Sequence, residues 1–279
     1  MTIEWFPGHM ATARKEVAEA MRKTDVVIEV LDARVPHSSQ SPLVERLRRE
    51  NQRQALKLLN KADLADPERT REWLEHYNAQ PGVKAMPMVS KDRGEVSRIA
   101  RVAQSLAPAR STPAKPLRLM IVGIPNVGKS TLMNTLLRRA IAKVGDEPAI
   151  TKIPAQHPLG KAMWLMDTPG ILWPGIDADT TLKLAMTHSI GKNAYDPETV
   201  ALALGSYLLA AYPELLARRF GSGVERGDEH ELLTAIAELR KLVVKGGGPD
   251  LAKAGFVLLS DFRSGTLGRI SLERPADLG

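Results

Sequence analysis

A glycine-rich segment near the middle of the chain constrains the fold more than any other feature. It reads Gly-Ile-Pro-Asn-Val-Gly-Lys-Ser-Thr over residues 123–131 and matches the pattern G-x-x-x-x-G-K-[ST]. A β-rich run, Leu117–Val122, precedes it, and an apolar helical run, Leu132–Arg139, follows it. In such a strand–loop–helix context the glycines let backbone N–H groups surround phosphate oxygens. The segment therefore predicts a phosphate-binding loop within an α/β fold.

Each side chain of this loop has a predicted task. Lys129 is expected to meet the β- and γ-phosphate oxygens as a catalytic group, and the Ser130 hydroxyl to ligate Mg²⁺. Asn126 can offer a carbonyl oxygen to K⁺, or it can instead make a hydrogen bond that stabilises the loop. The predicted nucleotide-binding residues in this loop are Asn126, Val127, Gly128, Lys129, Ser130 and Thr131.

A second motif, Asp167-Thr-Pro-Gly170, follows the β-rich run Ala162–Met166. An aspartate at the carboxyl end of a strand can contribute to the shell of Mg²⁺, and the Gly170 N–H can contact a γ-phosphate. Alone the tetrapeptide is a common turn. Its position after a phosphate loop favours a functional interpretation.

The tetrapeptide Asn60-Lys-Ala-Asp63 follows another β-rich run, Ala55–Leu59. A carboxylate at Asp63 can accept paired hydrogen bonds from N1 and N2 of guanine, which adenine cannot offer. The Lys61 stem can cover the base plane, while Asn60 completes the motif. Ser90 and Lys91 are a weaker candidate for the loop that closes on the base. The structural alternative for the tetrapeptide is a helix cap before Pro67.

The order of these motifs is rotated relative to an ordinary Ras-like GTPase, in which the phosphate loop comes first. Here the base motif at 60–63 precedes the phosphate loop, and the segment 167–170 comes last. Such a rotation keeps the sheet if the former termini are joined, and Ala107–Pro116 has the composition of a linker at the required joint. Ten extended residues span at most about 33–36 Å, which is enough to cross one edge of a domain.

The distribution of strand and helix patterns predicts two domains. Strand patterns alternate with helical ones up to residue 176, which favours a mostly parallel sheet, and beyond it only helical periodicity remains. We therefore expect a circularly permuted Ras-like P-loop domain over 1–176 and a smaller all-α domain over 177–279. The other predicted strands are Val26–Leu31 and Val83–Val89, and the predicted helices are Pro42–Asn51, Pro67–Asn78, Gly94–Leu106, Asp179–Ile190, Pro197–Ala211, Asp228–Lys245 and Asp250–Arg263.

Charge and cysteine content narrow the function classes. The chain contains no cysteine, so disulfide frameworks, thiolate zinc sites and cysteine nucleophiles are excluded. Residues 1–174 hold 27 basic and 18 acidic side chains, whereas residues 175–279 hold 12 and 14. A polyanionic partner would be attracted mainly by the first part. No signal peptide or spanning segment is recognisable, which predicts a cytoplasmic protein without a membrane partner.

Several segments together resemble a known family. They are Trp5-Phe-Pro-Gly-His-Met10, Asp32-Ala-Arg-Val-Pro36, Asp167–Pro174 and Asp261-Phe-Arg-Ser-Gly265 with Leu267-Gly268. With the rotated motifs they are similar to the circularly permuted GTPases of the ribosome biogenesis GTPase A group. The resemblance implies a GTP hydrolase assisting late maturation of the large (50S) ribosomal subunit, with GTP or GDP, Mg²⁺ and K⁺ as ligands. It also implies that the helical domain touches ribosomal RNA and that Thr151 closes over γ-phosphate and Mg²⁺.

One position implies slow turnover by the isolated protein. Ile171 follows the segment 167–170, where Ras-like enzymes carry a water-orienting glutamine, and an aliphatic side chain cannot orient water. The resemblance points to His9 as the replacement, although a histidine near a terminus is often only structural. The remaining histidines share no motif.

Basic side chains suggest two RNA-contacting patches, one at Arg46, Arg48, Arg49 and Arg53 and one at Lys253, Arg263 and Arg269. A solvated helix face is the alternative for the first patch. We expect a monomer that binds precursor particles of the large subunit and their RNA in its GTP state, with no DNA partner. Two other functions stay open: a small-subunit maturation GTPase, and an RNA-binding module switched by nucleotide.

Overall fold

The computed structural model describes residues 7–138, 156–168, 170, 172–173, 175–191 and 195–278, with side chains from residue 15 onward. Thr151 and Ile171 lie outside these residues, as does the side chain of His9.

Six strands in the described residues form one sheet, in the order β3-β2-β1-β4-β6-β5. They are β1 (Val26–Asp32), β2 (Gln54–Asn60), β3 (Val83–Met88), β4 (Leu117–Val122), β5 (Gln156–Pro158) and β6 (Met163–Asp167). All neighbours are parallel except β5, which pairs with β6 in antiparallel fashion at one edge. Every residue of β1 is buried, as expected of a central strand covered on both faces. The five predicted strands are confirmed, and β5 is an addition.

The helices follow the sequence pattern closely. They are α1 (Pro7–Arg22), α2 (Pro42–Glu50), α3 (Pro67–Asn78), α4 (Arg93–Leu106), α5 (Lys129–Leu137), α6 (Ala178–Met186), α7 (Pro197–Ala211), α8 (Pro213–Phe220), α9 (Glu229–Leu239) and α10 (Leu251–Ser264). Ser41, Asp66 and Asp92 cap α2, α3 and α4 through side chains that accept backbone N–H bonds.

Four sequence predictions for helices are corrected. α6 ends at Met186 rather than at Ile190, and Thr187 is its capping residue. α9 ends at Leu239 rather than Lys245, because the chain turns back and Val243 pairs with Pro249. Pro213 breaks the helical pattern as predicted, yet it also starts α8, since proline suits the first position of a helix. α5 begins earlier than predicted, at Lys129, and ends where Arg138 adopts a left-handed conformation.

Two large clusters of buried side chains divide the interior. One packs the sheet against α4 and α5 and includes Ile28, Leu119 and Leu132; the other joins helices α7 to α10 and includes Leu204, Ile236 and Leu258. No single helix among the described residues is long and apolar enough to cross a bilayer. Taken together, α7 and α8 are long and apolar enough, but the two helices meet at a bend of 111°.

Candidate nucleotide-binding site

A cavity of about 470 Å³ lies where the parallel strands β2, β3 and β4 end. This is the edge at which ligands bind in open α/β sheets. Ten predicted residues line it: Asn60, Lys61, Asp63, Ser90, Lys91, Asn126, Gly128, Lys129, Ser130 and Thr131. The structure thus brings together three motifs that are separated in sequence: the base motif at 60–63, the pair Ser90-Lys91 and the phosphate loop. Val127 is buried beneath the loop, and Gly170 lies beside Lys129.

The phosphate loop joins β4 to α5. α5 begins directly after Gly128, which has a φ of +101° and provides no side chain to cap the helix. The first N–H groups of α5 are therefore available to an anion, as at other phosphate-binding helix ends. A Cβ at Gly128 would lie 2.3 Å from the Asn60 Nδ2 atom, so the loop packs against the base motif too closely for any other residue.

The amide of Asn60 fixes the relative positions of the three motifs. Its Nδ2 donates to the Val127 carbonyl at 2.6 Å, and its Oδ1 accepts from both the backbone N–H (3.0 Å) and the hydroxyl (2.8 Å) of Ser90. Thr135 on α5 adds a bond from its hydroxyl to the Ser90 carbonyl at 2.8 Å. Because Asn60 is buried, the loss of these bonds would leave several polar groups without partners.

Lys61 and Asp32 belong to a buried charge network beside the base motif. Lys61, with a φ of +60°, donates through Nζ to Asp32 Oδ2 at 2.9 Å. Arg34 donates to both oxygens of the same carboxylate, at 2.9 and 2.8 Å. These two cations hold the pKa of Asp32 far below its usual range even though burial opposes ionisation. The network fixes the end of the Lys61 side chain.

Asp63 offers its carboxylate to the cavity. The carboxylate has no hydrogen-bond or ion-pair partner within the part of the chain that the structure describes. The capping function before Pro67 falls instead to Asp66, which accepts from the N–H groups of Glu68 and Arg69. The structural alternative for the tetrapeptide is therefore wrong.

At the phosphate loop, the opposite charges of Lys129 and Asp167 attract each other. The Lys129 Nζ atom donates to the carbonyls of Gly123 (3.0 Å) and Ile124 (3.2 Å). Burial lowers the pKa of Lys129 to about 8, although Asp167 opposes the shift. Burial likewise raises the pKa of Asp167, against the attraction of Lys129 and His157. A Cβ at Gly170 would lie 2.9 Å from Lys129 Nζ, so this glycine adjoins the phosphate loop.

Six cavity-lining residues were not predicted as site residues: Arg34, Leu64, Val89, Thr187, His188 and Arg263. Arg34 lies in the segment 32–36, which carried a signal of resemblance but no assigned task. Thr187 and His188 follow α6, and nothing in the sequence pattern distinguishes them. His188 is linked to the phosphate loop, because Asn126 Nδ2 donates to its carbonyl at 2.8 Å. This bond uses the backbone carbonyl of residue 188, so it assigns no task to the histidine side chain.

The suggested basic patches are altered by internal bonds. Arg48 is buried and donates to Glu45 and to the Arg53 carbonyl, so it is part of the core beneath α2. Arg263 donates to the carbonyls of Met186 and Ala185, and Arg269 donates to two carbonyls beside Asp63. Two members of the patch suggested at Lys253, Arg263 and Arg269 are thus engaged within the chain, and contact of this patch with RNA stays a prediction. Arg46 and Arg49 remain exposed.

The sheet order, the single antiparallel edge and the meeting of the three motifs define a class of protein. Each motif lies at the end of the strand at which a Ras-like fold places it. In this chain, however, the strands of the base-motif half, β1 to β3, come before the strands of the phosphate-loop half, β4 to β6. The fold is that of a circularly permuted P-loop GTPase.

Comparisons with known proteins support this class. A family profile described as a 50S ribosome-binding GTPase matches residues 118–199. Ribosome biogenesis GTPase A of Bacillus pumilus is 38% identical over 283 aligned residues, which cover 99% of each chain. GDP-bound YlqF is similar with a TM-score of 0.67 and 27% identity, covering 94% of this chain and 99% of its own. GNP-bound YlqF from T. maritima is similar with a TM-score of 0.65 and 27% identity, covering 95% and 98%.

The chain belongs to the ribosome biogenesis GTPase A family. It is accordingly a GTPase with a role in ribosome biogenesis.

Proposed function

We propose that this GTPase assists late maturation of the large ribosomal subunit, binding the precursor particle in the GTP state and leaving after hydrolysis. The observation that supports the large subunit is the match of residues 118–199 to a profile described as a 50S ribosome-binding GTPase. That match includes the phosphate loop and the segment 167–170, the parts that respond to the γ-phosphate. The protein acts in the cytoplasm as a monomer.

The nucleotide is held by groups that converge on the cavity. Asp63 accepts from the guanine N1 and N2 positions, the Lys61 stem covers the base, and Ser90 and Lys91 close the far side of the base. The N–H groups at the start of α5 and the Lys129 ammonium bind the phosphates, since the helix start has no side-chain cap and Lys129 is a cation that lines the cavity. The Gly170 N–H contacts the γ-phosphate, which supports a response to hydrolysis.

Two cations fit the chemistry of this site. The Ser130 hydroxyl, Thr151 and Asp167 supply the oxygen ligands that Mg²⁺ prefers, and Mg²⁺ neutralises charge on the phosphates when it is bound. Asn126 uses its amide nitrogen to bond the His188 carbonyl, so its side-chain oxygen is the part that K⁺ would contact. The same bond is also consistent with the alternative task of Asn126, a hydrogen bond that stabilises the loop.

Hydrolysis needs a group from outside the ordinary motif, because Ile171 cannot orient water. We assign this task to His9, which lies in the first turn of α1. Docking on the particle would position His9 near the γ-phosphate. Positioning and charge stabilisation supply about 10³–10⁵ in other GTPases that are activated in trans.

The helical part over 177–279 is assigned to recognition of ribosomal RNA, and residues 1–176 to the nucleotide. The separate helical cluster of buried side chains supports this division. Several contacts cross it: among them, Val35 packs into the helical cluster, and Leu184 of α6 packs into the sheet cluster. The two parts are therefore coupled rather than independent.

Co-sedimentation with isolated ribosomal subunits tests the proposal. The protein should co-sediment with large-subunit particles in a GTP analogue and much less in GDP, at a fixed salt concentration. Lys129→Ala serves as the control, since it should lose the dependence on nucleotide. Binding to the small subunit would favour the small-subunit alternative. RNA binding with no subunit preference and no stimulated turnover would favour the switched RNA-binding module.

A further inference from the structure

A largely buried segment that follows α10 contacts the loop of the base motif. This segment, Gly265–Glu273, is called the C-terminal strap here; it begins where α10 ends, at a left-handed Gly265. Ile270, Ser271, Leu272 and Glu273 of the strap are each at most 3% exposed. The strap thus lies between the helical cluster, which includes Ile270 and Leu272, and the loop of the base motif.

The strap holds the loop that carries Asp63 by its backbone. Arg269 donates through Nε to the Ala65 carbonyl at 2.8 Å and through Nη2 to the Ala62 carbonyl at 2.9 Å. The Ile270 N–H donates to the Leu64 carbonyl at 3.0 Å. The carbonyls on both sides of Asp63 are therefore tied to the strap.

Adjacent bonds extend this attachment in both directions. The Ser271 hydroxyl accepts from the Asp66 N–H at 3.1 Å, and the Leu272 N–H donates to the Arg34 carbonyl at 2.7 Å. The loop's contact with the sheet side is limited by comparison, with Ala62 N–H donating to the Met88 carbonyl at 3.2 Å. The strap thus supplies most of the hydrogen bonds that hold the backbone on either side of Asp63 in place.

We propose that the C-terminal strap positions the guanine-reading loop, with Arg269 as a positioning residue for base recognition. The inference rests on the proposed function of Asp63 in binding guanine. Two paired hydrogen bonds to a base require a carboxylate held at one distance and angle, and the peptide groups on either side of Asp63 determine both. Binding of the base and docking of the strap consequently stabilise each other, since such coupling is reciprocal.

Arg269 suits a test by substitution because it is exposed, so that Arg269→Ala removes two hydrogen bonds without opening a cavity in the core. We expect this variant to bind GDP about fivefold more weakly, at the low end of measured coupling between sites. Its preference for GDP over inosine diphosphate should narrow, because a displaced carboxylate gains less from the guanine 2-amino group. Pyrophosphate binding should be unchanged, and Arg269→Lys should restore part of the preference.

Arg274→Ala is the matched control, since Arg274 follows the strap directly but bonds to Glu72 on α3, with Nε to Oε2 at 3.1 Å. It should keep the wild-type preference. If Arg269→Ala melts at a lower temperature than wild type yet keeps the full preference, Arg269 is only structural and the inference fails. A wild-type protein without preference for GDP overturns the assignment of Asp63, and the inference with it. Neither measurement of nucleotide preference depends on binding to a ribosomal subunit.

Amide hydrogen exchange tests the same coupling without any substitution. Saturating GDP should slow exchange of the Ile270 and Leu272 amides about fivefold more than saturating pyrophosphate does, because only GDP engages the base loop. Equal protection by the two ligands would show that the strap does not respond to the base and would overturn the proposal.

Discussion

At the scale of single residues, we propose that base choice depends on one carboxylate. Asp63 lines the cavity, and the described residues offer it no hydrogen-bond partner, whereas its neighbours Asn60 and Lys61 are both engaged by the protein. Discrimination of this kind comes from the cost of leaving paired donors and acceptors unsatisfied with the wrong base.

Asp63→Asn should weaken GTP binding by about 2–4 kcal/mol, since an amide donor would then face guanine's own donors. Xanthine nucleotides, which carry a carbonyl at that position, should bind better than GTP. Asp92→Asn is the control, because Asp92 caps α4 and asparagine also caps helices. Fluorescent-nucleotide titration measures all three proteins. Wild-type GTP affinity in the Asp63 variant would contradict the assignment.

Lys129 predicts a pH dependence of nucleotide binding. Its pKa of about 8 in the free protein rises when phosphates surround the ammonium group, so binding above about pH 8 is accompanied by proton uptake. Affinity for GDP should be flat below that pH. Above it, affinity should fall by up to about tenfold per pH unit, the limit for one linked proton.

Calorimetric titrations in buffers of different ionisation enthalpy measure this proton uptake directly. Lys91→Met should keep the dependence, because Lys91 also lines the cavity but is not the group assigned to the phosphates. An affinity that stays constant to about pH 9.5 would show that Lys129 remains charged in the free protein.

At the scale of elements, the phosphate loop needs its glycines for two reasons: their positive φ, and neighbouring atoms that leave no room for a side chain. Gly123 and Gly128 both have positive φ, and a Cβ at Gly123 would lie 2.6 Å from the Val30 carbonyl oxygen of β1. The loop is therefore packed against β1 and against Asn60 of the base motif. Under the proposed function, the residues that bind the phosphates and the residues that bind the base belong to one rigid unit.

Gly128→Ala should lower GDP affinity by at least about 100-fold and reduce stability by about 1–3 kcal/mol, because it adds strain and pushes Asn60 out of place. Gly160→Ala separates these causes, since Gly160 also has a positive φ (+69°) but has no atom within 4 Å of an added Cβ. The control should lose some stability and keep its affinity. Thermal melts and titrations distinguish the two; equal affinities would contradict the argument.

The elements that could be predicted from sequence are those whose signal is local. α3 matches the predicted Pro67–Asn78 because its capping residue and first-turn proline are adjacent in sequence. β5 was missed because it is short and exposed. Arg34 and His188 could not be recognised as cavity residues, since their place depends on packing between distant elements. The hold of Arg269 on residues 62 and 65 is likewise a long-range contact without a local pattern.

At the scale of the whole molecule, the permuted order connects the nucleotide to the helices through a short path. The chain passes from Gly170, beside Lys129, to α6, and the residue His188 that follows α6 returns to bond Asn126 of the phosphate loop. Leu184 and Met186 of α6 pack into different clusters. A change at the γ-phosphate can thus reach the helical part at both ends of one helix.

This coupling gives the last prediction, which concerns control of hydrolysis by the ribosomal particle. With Ile171 in place of a water-orienting glutamine, the free protein should hydrolyse GTP slowly even when it is saturated. Large-subunit particles should stimulate turnover strongly. His9→Ala should remove most of the stimulated rate, of the order of 10³-fold, while GTP affinity and particle binding stay near wild type.

His230→Ala is the matched control, because His230 is an exposed histidine on α9 and should leave the stimulated rate unchanged. Single-turnover assays with saturating particles separate the chemical step from binding, so a loss through weaker docking would be visible as a higher particle requirement. If the His9→Ala protein, fully bound to particles, hydrolyses GTP as fast as wild type, the group that orients water is not His9. That group would then come from the particle or from another residue of the chain.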